Sequence, residues 1–435
     1  MTPNDETFNA ILSNWLKSKD NEALSLMIAL LETMEKLFNE GNLDAKPDRI
    51  AVNSVMSALA RNGELQRVVQ LQNRMEEVYD IAPDTVSNNI LVSAWSKSQR
   101  SEAPERALEI FTQMEEGFKK GNQEVKPDNY SYTSVIDCFV KANRPQAGPQ
   151  AMGLLERMQA LHRDHGGDAP STGCYNVVLN SLATARNKDS AELALSILSE
   201  MEEKSKEADS TAPKPNRVTY NTCLKACRNG QDEYALRAEQ LLSRLIVLGK
   251  TDASLAPDSY TYAAVVNVLG RSDNADKAER VLRVMNQMIA SYKAGNLPSK
   301  PSTHVFNAAL NACAFSRYDA NSKMDAFVIT VGILVLLRDY ATADDVTYGT
   351  VLRACSNLLP KSDSRRHELV EKFFRTATRE GQISEMVLTQ LKFAASTSLF
   401  REIVGIDRDL QVVTLEDLPR AWTSKVKRKA RKELF

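Results

Sequence analysis

Six asparagines recur in one local setting along this 435-residue chain: Asn9, Asn53, Asn89, Asn176, Asn221 and Asn307. Four follow an aromatic residue, and all stand two residues before an apolar pair, as in Phe8-Asn9-Ala10-Ile11-Leu12 and Tyr175-Asn176-Val177-Val178-Leu179. An amide side chain offers both a hydrogen-bond donor and an acceptor. Asparagine is also a poor helix former, so its return inside a helical phrase asks for a reason. Other groups capable of chemistry reduce to bland readings. Cys223 and Cys227 have the i, i+4 spacing of a metal pair, yet Cys227, Cys313 and Cys355 share a place that other copies fill with Trp15, Leu59, Trp95, Phe139, Leu182 and Leu269. They read as core fillers. His162 and His165 read as a solvated loop before Gly166-Gly167. No nucleotide-binding loop, catalytic triad or cluster of carboxylates is visible, so no catalysis, cofactor or metal is expected.

The asparagines belong to a repeated phrase. Tyr220-Asn221-Thr222-Cys223-Leu224 and Phe306-Asn307-Ala308-Ala309-Leu310 restate it, and looser copies begin at Val52, Asn88, Tyr132, Tyr262 and Tyr348. The nine copies lie 36 to 45 residues apart, and self-similarity at such a period marks a repeat architecture. With the aromatic numbered position 4, apolar residues fall at 4, 7, 8 and 11, one stripe of an α-helix. Position 8 reads Leu12, Met56, Val92, Ile136, Leu179, Leu224, Val266, Leu310 and Leu352, apolar every time.

A second phrase follows in most copies, as Ala107-Ile110-Phe111-Met114, Ala151-Leu154-Leu155-Met158, Ala194-Ile197-Leu198-Met201 and Ala278-Val281-Leu282-Met285. Its small alanine lets paired helices approach. Most copies close on proline and a short polar residue, as in Pro47-Asp48, Pro127-Asp128 and Pro257-Asp258. Proline is expected to stop the second helix, and the polar residue to cap the next first helix. Neither helix buries its stripe alone, so stacked neighbours must supply one core. The expected fold is all-α, a solenoid.

Glycine is scarce at 17 residues, which argues against a turn-rich β fold. Formal charge is −1, but residues 420–435 are strongly basic and leave residues 1–419 at −7. That balance gives no wholesale attraction to nucleic acid. Six scattered cysteines suggest reduced thiols. The longest apolar run, Phe327 to Leu337, is 11 residues, shorter than a spanning helix of about 20, so no membrane partner is expected. No signal peptide precedes the first element, and Thr2-Pro3-Asn4 looks like the close of a preceding repeat, as in an N-terminally truncated product.

At these phrases, and at Val218-Thr219-Tyr220-Asn221-Thr222 and Pro257-Asp258-Ser259-Tyr260-Thr261-Tyr262, the sequence resembles the pentatricopeptide-repeat family. The rival tetratricopeptide repeat has a Trp-x-x-Leu-Gly opening and a 34-residue period that are not visible here. The resemblance covers roughly residues 5–384. It implies a right-handed superhelix of about nine helix-turn-helix repeats, at 5–48, 49–84, 85–128, 129–171, 172–216, 217–258, 259–302, 303–344 and 345–384. A helical cap at 385–419, around Met386 to Phe393, and a basic tail at 420–435 would follow. Most repeats run 42–45 residues against a family norm of about 35. The surplus, between the methionine and the closing proline, is expected to lengthen the second helix or to loop on the convex side.

The resemblance also implies a function. In this family position 5 and the last residue of the repeat, position 35, read one exposed RNA base per repeat. The pairs are then Asn9 with Asp48, Asn53 with Asp84, Asn89 with Asp128, Asn221 with Asp258 and Asn307 with Asp344, a combination the family associates with uridine. Asn176 with Asn216 suits a pyrimidine and Thr133 with Ser171 leans to purine. Ala263 with Ser302, and the ninth repeat opening with Gly349, carry little information. The implied target is 5′-UUU-N-Y-U-N-U-3′. Position 2, at Ile50, Val86, Tyr130, Val218, Tyr260 and Val346, is expected to pack on base faces, and His304 shares that position. The tail from Lys425 to Lys432 reads as a solvated helix end or an RNA backbone contact, with a nuclear signal third. The expected partner is single-stranded RNA, with other RNA-processing proteins beside it, and the expected state is a monomer. The expected setting is a mitochondrion or chloroplast. The competing readings are a protein-binding scaffold and the RNA-binding part of a larger processing enzyme.

Overall fold

The computed structural model describes residues 4–18, 22–144, 146–185, 189–206, 212–228, 232–297, 299–316, 319–406 and 413–426. Within them lie twenty α-helices, and no strand occurs among the described residues. The first helices of successive hairpins are α1 (Asp5–Lys17), α3 (Arg49–Arg61), α5 (Thr85–Ser98), α7 (Asn129–Lys141), α9 (Thr172–Thr184), α11 (Arg217–Cys227), α13 (Ser259–Arg271), α15 (Thr303–Ala314) and α17 (Asp345–Leu358). Their partners are α2 (Ala23–Asn39), α4 (Leu65–Glu77), α6 (Ala103–Lys119), α8 (Ala147–His165), α10 (Ser190–Lys204), α12 (Glu233–Leu248), α14 (Lys277–Lys293), α16 (Ala320–Tyr340) and α18 (Ser364–Arg379).

Two compact units divide the chain, residues 1–215 and 216–435. In the first, α1, α3, α5, α7 and α9 pack each on the next to form one wall. In this unit α2, α4, α6 and α8 each lie between their own first helix and the following one, and α10 packs on α9. The second unit repeats that scheme through α11, α13, α15 and α17. Each unit is thus an α-solenoid. All nine position-8 residues are buried at 0–1% exposure, and each fully buried aliphatic side chain contributes about 1.5–3 kcal/mol. Ala107, Ala151 and Ala194 are fully buried where the second helices meet the wall.

The closing residues cap as expected. The side chains of Asp48, Asp84, Asp128, Ser171, Asn216, Asp258 and Asp344 each accept a backbone N–H three residues on. Ser302 makes no such bond. The stop, however, is not the proline. In the first and third repeats the second helix ends eight residues earlier, at Asn39 and Lys119, where Gly41 and Gly121 take φ of +99° and +98°. Only glycine enters that region without strain. Asn42 and Asn122 then cap a short 3₁₀ turn that leads to the proline. The surplus length does extend the second helices, which reach 21 residues in α16 against 14 at most among first helices.

Two further expectations are corrected. The run from Phe327 to Leu337 lies in α16, whose 21 residues and hydropathy of 1.6 are long and apolar enough for a membrane span. Its Ala326, Phe327, Ile333, Leu334 and Leu337 are buried, and the helix packs on α14, α15 and α17. That face serves the core, while Val328 and Val335 of the same helix stand exposed. The C-terminal cap is not one helix but a short pair, α19 (Glu385–Ala394) against α17 and α20 (Thr397–Val404) against α18 and α19. Trp422 folds back edge-on to Phe374 at 5.9 Å, and its carbonyl accepts from Ile383 N at 2.9 Å. Of the basic tail, Lys427 to Lys432 lie outside the described residues.

Candidate functional site

Positions 5 and 35 meet. Asn9 donates Nδ2 to Asp48 Oδ2 at 2.8 Å, Asn89 to Asp128 Oδ1 at 3.2 Å, and Asn307 to Asp344 Oδ1 at 2.9 Å. Asn53 reaches Asp84 Oδ1 at 3.4 Å. The geometry follows from the fold. Position 5 lies one turn into a first helix, the carboxylate caps the next first helix, and the two helices are packed side by side. Burial is deep for a polar set: Asn89, Asn221 and Asn307 are 6%, 8% and 9% exposed, while their aspartates are half-buried. In the four bonded repeats the amide is therefore oriented by a fixed carboxylate rather than swinging in solvent.

The weaker repeats look different. Thr133 turns its hydroxyl back to the Asn129 carbonyl at 3.0 Å, and Ser171 is exposed. Ala263 is buried and Ser302 exposed. Asn176 is half-buried in α9, and Asn216 caps α11; they fall on either side of the unit boundary. At Gly349 a Cβ would sit 3.1 Å from the Met386 side chain of α19, so the row of position-5 groups is covered there.

Beside these pairs runs a row of side chains whose exposure the packing of the array does not require. Ile50, Val86 and Tyr130 in the first unit are 59%, 54% and 54% exposed. Val218, Tyr260 and Val346 in the second are also exposed, as is His304. All stand at position 2, on the second residue of a first helix.

One feature escaped the sequence reading. Lys17, Arg61, Lys97 and Lys141 each occupy position 13, the last turn of α1, α3, α5 and α7. Lys97 and Lys141, with Arg100 and Arg144, line a cleft of about 630 Å³ that Ser96, Ser101 and Cys138 complete. Lys141 pairs with Asp137 at 2.6 Å, and Arg144 with Glu105, whose carboxyl it holds below the usual range. The signal was present as a basic residue eight places after position 5. Net charge concealed it, because acids such as Asp137 and Glu105 offset these cations.

The cysteines fill the core as expected, and the histidines lie elsewhere than expected. All six cysteines are buried and none forms a disulfide; burial pushes the Cys227, Cys313 and Cys355 thiols up to about 12. His162 and His165 sit in the last turn of α8 and not in a loop, because the helix continues to a C-cap at Gly166 with φ of +70°. Among the described residues no group of three or more His, Cys, Asp or Glu is placed to hold a metal. Glu115 is buried against Arg157 and the Tyr132 hydroxyl, a structural ion pair.

Comparison with known proteins places these repeats. The family model for the PPR repeat matches residues 50–78, 130–161 and 260–289. A pentatricopeptide repeat-containing protein of Arabidopsis thaliana is 27% identical over 178 residues, 41% of this chain and 27% of the relative. Another from that plant, named as chloroplastic, is 23% identical over 60% of this chain and 28% of its own length. The chain spans less than a third of these relatives. Among solved structures, the pentatricopeptide repeat protein PPR10 from maize aligns at a TM-score of 0.49 with 19% identity, over 94% of this chain and 57% of that one. Yeast Rmd9p, solved in complex with a 16-nucleotide target RNA, aligns at 0.42 with 12% identity, over 91% of this chain and 74% of that one.

Proposed function

Since the chain belongs to the pentatricopeptide-repeat family, we propose that it binds single-stranded RNA in a sequence-preferring way, one base per repeat. The observation that carries this reading is the exposed apolar residue at position 2 beside an amide held by a carboxylate, repeated along the wall. A splayed base needs both: a face to stack on and a hydrogen-bonding edge to match. The aromatic faces of Tyr130 and Tyr260 contribute about 1–3 kcal/mol per stacked base. Lys17, Arg61, Lys97 and Lys141 answer the electrostatic objection raised by an acidic body. Backbone neutralisation needs local cations near the track, not a basic protein.

The five Asn-with-Asp repeats favour uridine, giving 5′-UUU-N-Y-U-N-U-3′ as the preferred target. The chain acts by occupancy: covering a segment of RNA blocks exonucleases or holds it unfolded, with no chemistry of its own. Some relatives are named as chloroplastic or mitochondrial, and we place this protein in organellar RNA processing, stability or translation. Fluorescence anisotropy with that oligomer, and with one in which every uridine is replaced by adenosine, tests the reading. A clear preference for the first supports it; equal affinity for both contradicts it.

A further inference from the structure

The asparagines at position 5 are not held alike, and the difference lies outside the two positions that read the base. Asn9 and Asn89 bond their closing aspartates through Nδ2, and their Oδ1 atoms are buried with no partner. The Oδ1 of Asn221 is buried and has none either. Asn53 and Asn307 bond their aspartates in the same way, but each Oδ1 is already occupied. The Ser87 hydroxyl lies 2.8 Å from Asn53 Oδ1 and 2.9 Å from Asp84 Oδ1. The Thr347 hydroxyl lies 2.7 Å from Asn307 Oδ1 and 2.8 Å from Asp344 Oδ1, so each shares its one proton between the amide oxygen and the cap carboxylate.

Ser87 and Thr347 stand at position 3 of the following repeat. After Asn9 that position is Ala51, which has no hydroxyl. After Asn89 and Asn221 it is Ser131 and Thr261, whose hydroxyls go to the cap carboxylates of Asp128 and Asp258 at 2.9 Å. The capping box alone does not require the bond to asparagine, because Ser131 and Thr261 complete theirs without it. Two classes of repeat result. In the first, third and sixth a buried amide oxygen lacks a donor, which is costly until one arrives. In the second and eighth the amide is tied at both ends.

We infer that the position-3 hydroxyl of the following repeat sets how strongly each Asn–Asp repeat separates uridine from cytidine. Uridine carries a donor at N3 where cytidine carries an acceptor. An amide oxygen without a partner gains a bond from the first and nothing from the second. Asn9, Asn89 and Asn221 turn to the base without giving up a bond at Oδ1. Asn53 and Asn307 must give up a hydroxyl to do so, and the gain from uridine shrinks accordingly. Ser87 and Thr347 are thus specificity-determining residues that touch no nucleotide. This inference rests on the RNA-binding reading above.

The test uses the full chain, 5′-UUUACUAU-3′ and five versions of it, each with one uridine changed to cytidine. We expect the change to weaken binding about tenfold or more at nucleotides 1, 3 and 6, and about threefold or less at 2 and 8. Ser87→Ala should raise the penalty at nucleotide 2 to that at nucleotide 3. Thr347→Val should do the same at nucleotide 8, each leaving the other penalties unchanged. The comparison within the unaltered protein needs no variant to fold. Equal penalties at all five nucleotides, or a nucleotide-2 penalty unmoved by Ser87→Ala, overturn the inference and leave RNA binding standing. No binding to any of the oligomers overturns the RNA reading and this inference together.

Discussion

Asp48 accepts Nδ2 of Asn9 at 2.8 Å through one oxygen and the backbone N–H of Ala51 at 2.8 Å through the other. One carboxylate therefore positions an amide of α1 and caps α3. Asp48→Ala removes both bonds, and losing the cap alone should cost about 1 kcal/mol. Asp48→Asn keeps an acceptor for Ala51 and should recover most of that loss. Denaturant unfolding of the three proteins measures the difference; equal stabilities would mean that the cap does not hold α3.

Tyr130 and Tyr260 are each 54% exposed, so their rings contribute little to the core. Replacing either by alanine should leave stability within about 0.5 kcal/mol. Affinity for the U-rich oligomer should fall by about 1–3 kcal/mol per ring. Thermal melts and anisotropy titrations on the same samples separate the two. A loss of stability without a loss of affinity would return these residues to a packing role.

The position-13 row predicts a salt signature. Converting Lys17, Arg61, Lys97 and Lys141 to alanine removes the four cations proposed to neutralise RNA phosphates. For single strands each neutralised phosphate contributes a slope of about −0.7 in log K against log salt. The quadruple variant should therefore show a slope shallower by about 3, with uridine preference retained. An unchanged slope would place these residues off the RNA path.

The cysteines predict an alkaline limit. Burial raises the Cys227, Cys313 and Cys355 thiols to about 12 and Cys138 to about 11, from an ordinary value of 9.0. A folded pKa above the unfolded one gives stability that is complete below about pH 8.5 and is lost as pH rises toward the folded values. The melting temperature should fall steadily between pH 8.5 and 11. A thiol reagent at pH 8 should label these cysteines only after unfolding. Prompt labelling of the folded chain would show that the thiols are not sealed.

The position-8 stripe was readable because a buried helical face repeats at 3.6 residues, and because nine copies from Leu12 to Leu352 average out local noise. The caps at Asp48, Asp128 and Asp258 were readable because short polar residues after proline have few other places to serve. The turns at Gly41 and Gly121 were not, since proline seemed a sufficient stop until the left-handed glycine appeared. The single cap became two helices because the break at Ala395 and Ser396 carries no glycine or proline. The bond from the Thr347 hydroxyl to the Asn307 amide oxygen spans 40 residues. Periodicity shows which face a residue occupies but not which partner its amide finds.

The central claim is that the amides at position 5 read bases. Its most direct measurement is the affinity of the chain carrying Asn53→Ala, Asn89→Ala and Asn221→Ala for the U-rich oligomer, with circular dichroism confirming an unchanged helix content. The account predicts that uridine preference disappears at nucleotides 2, 3 and 6, is kept at 1 and 8, and that affinity drops at least about tenfold. A folded triple variant that binds the oligomer as tightly and as selectively as the parent would contradict it.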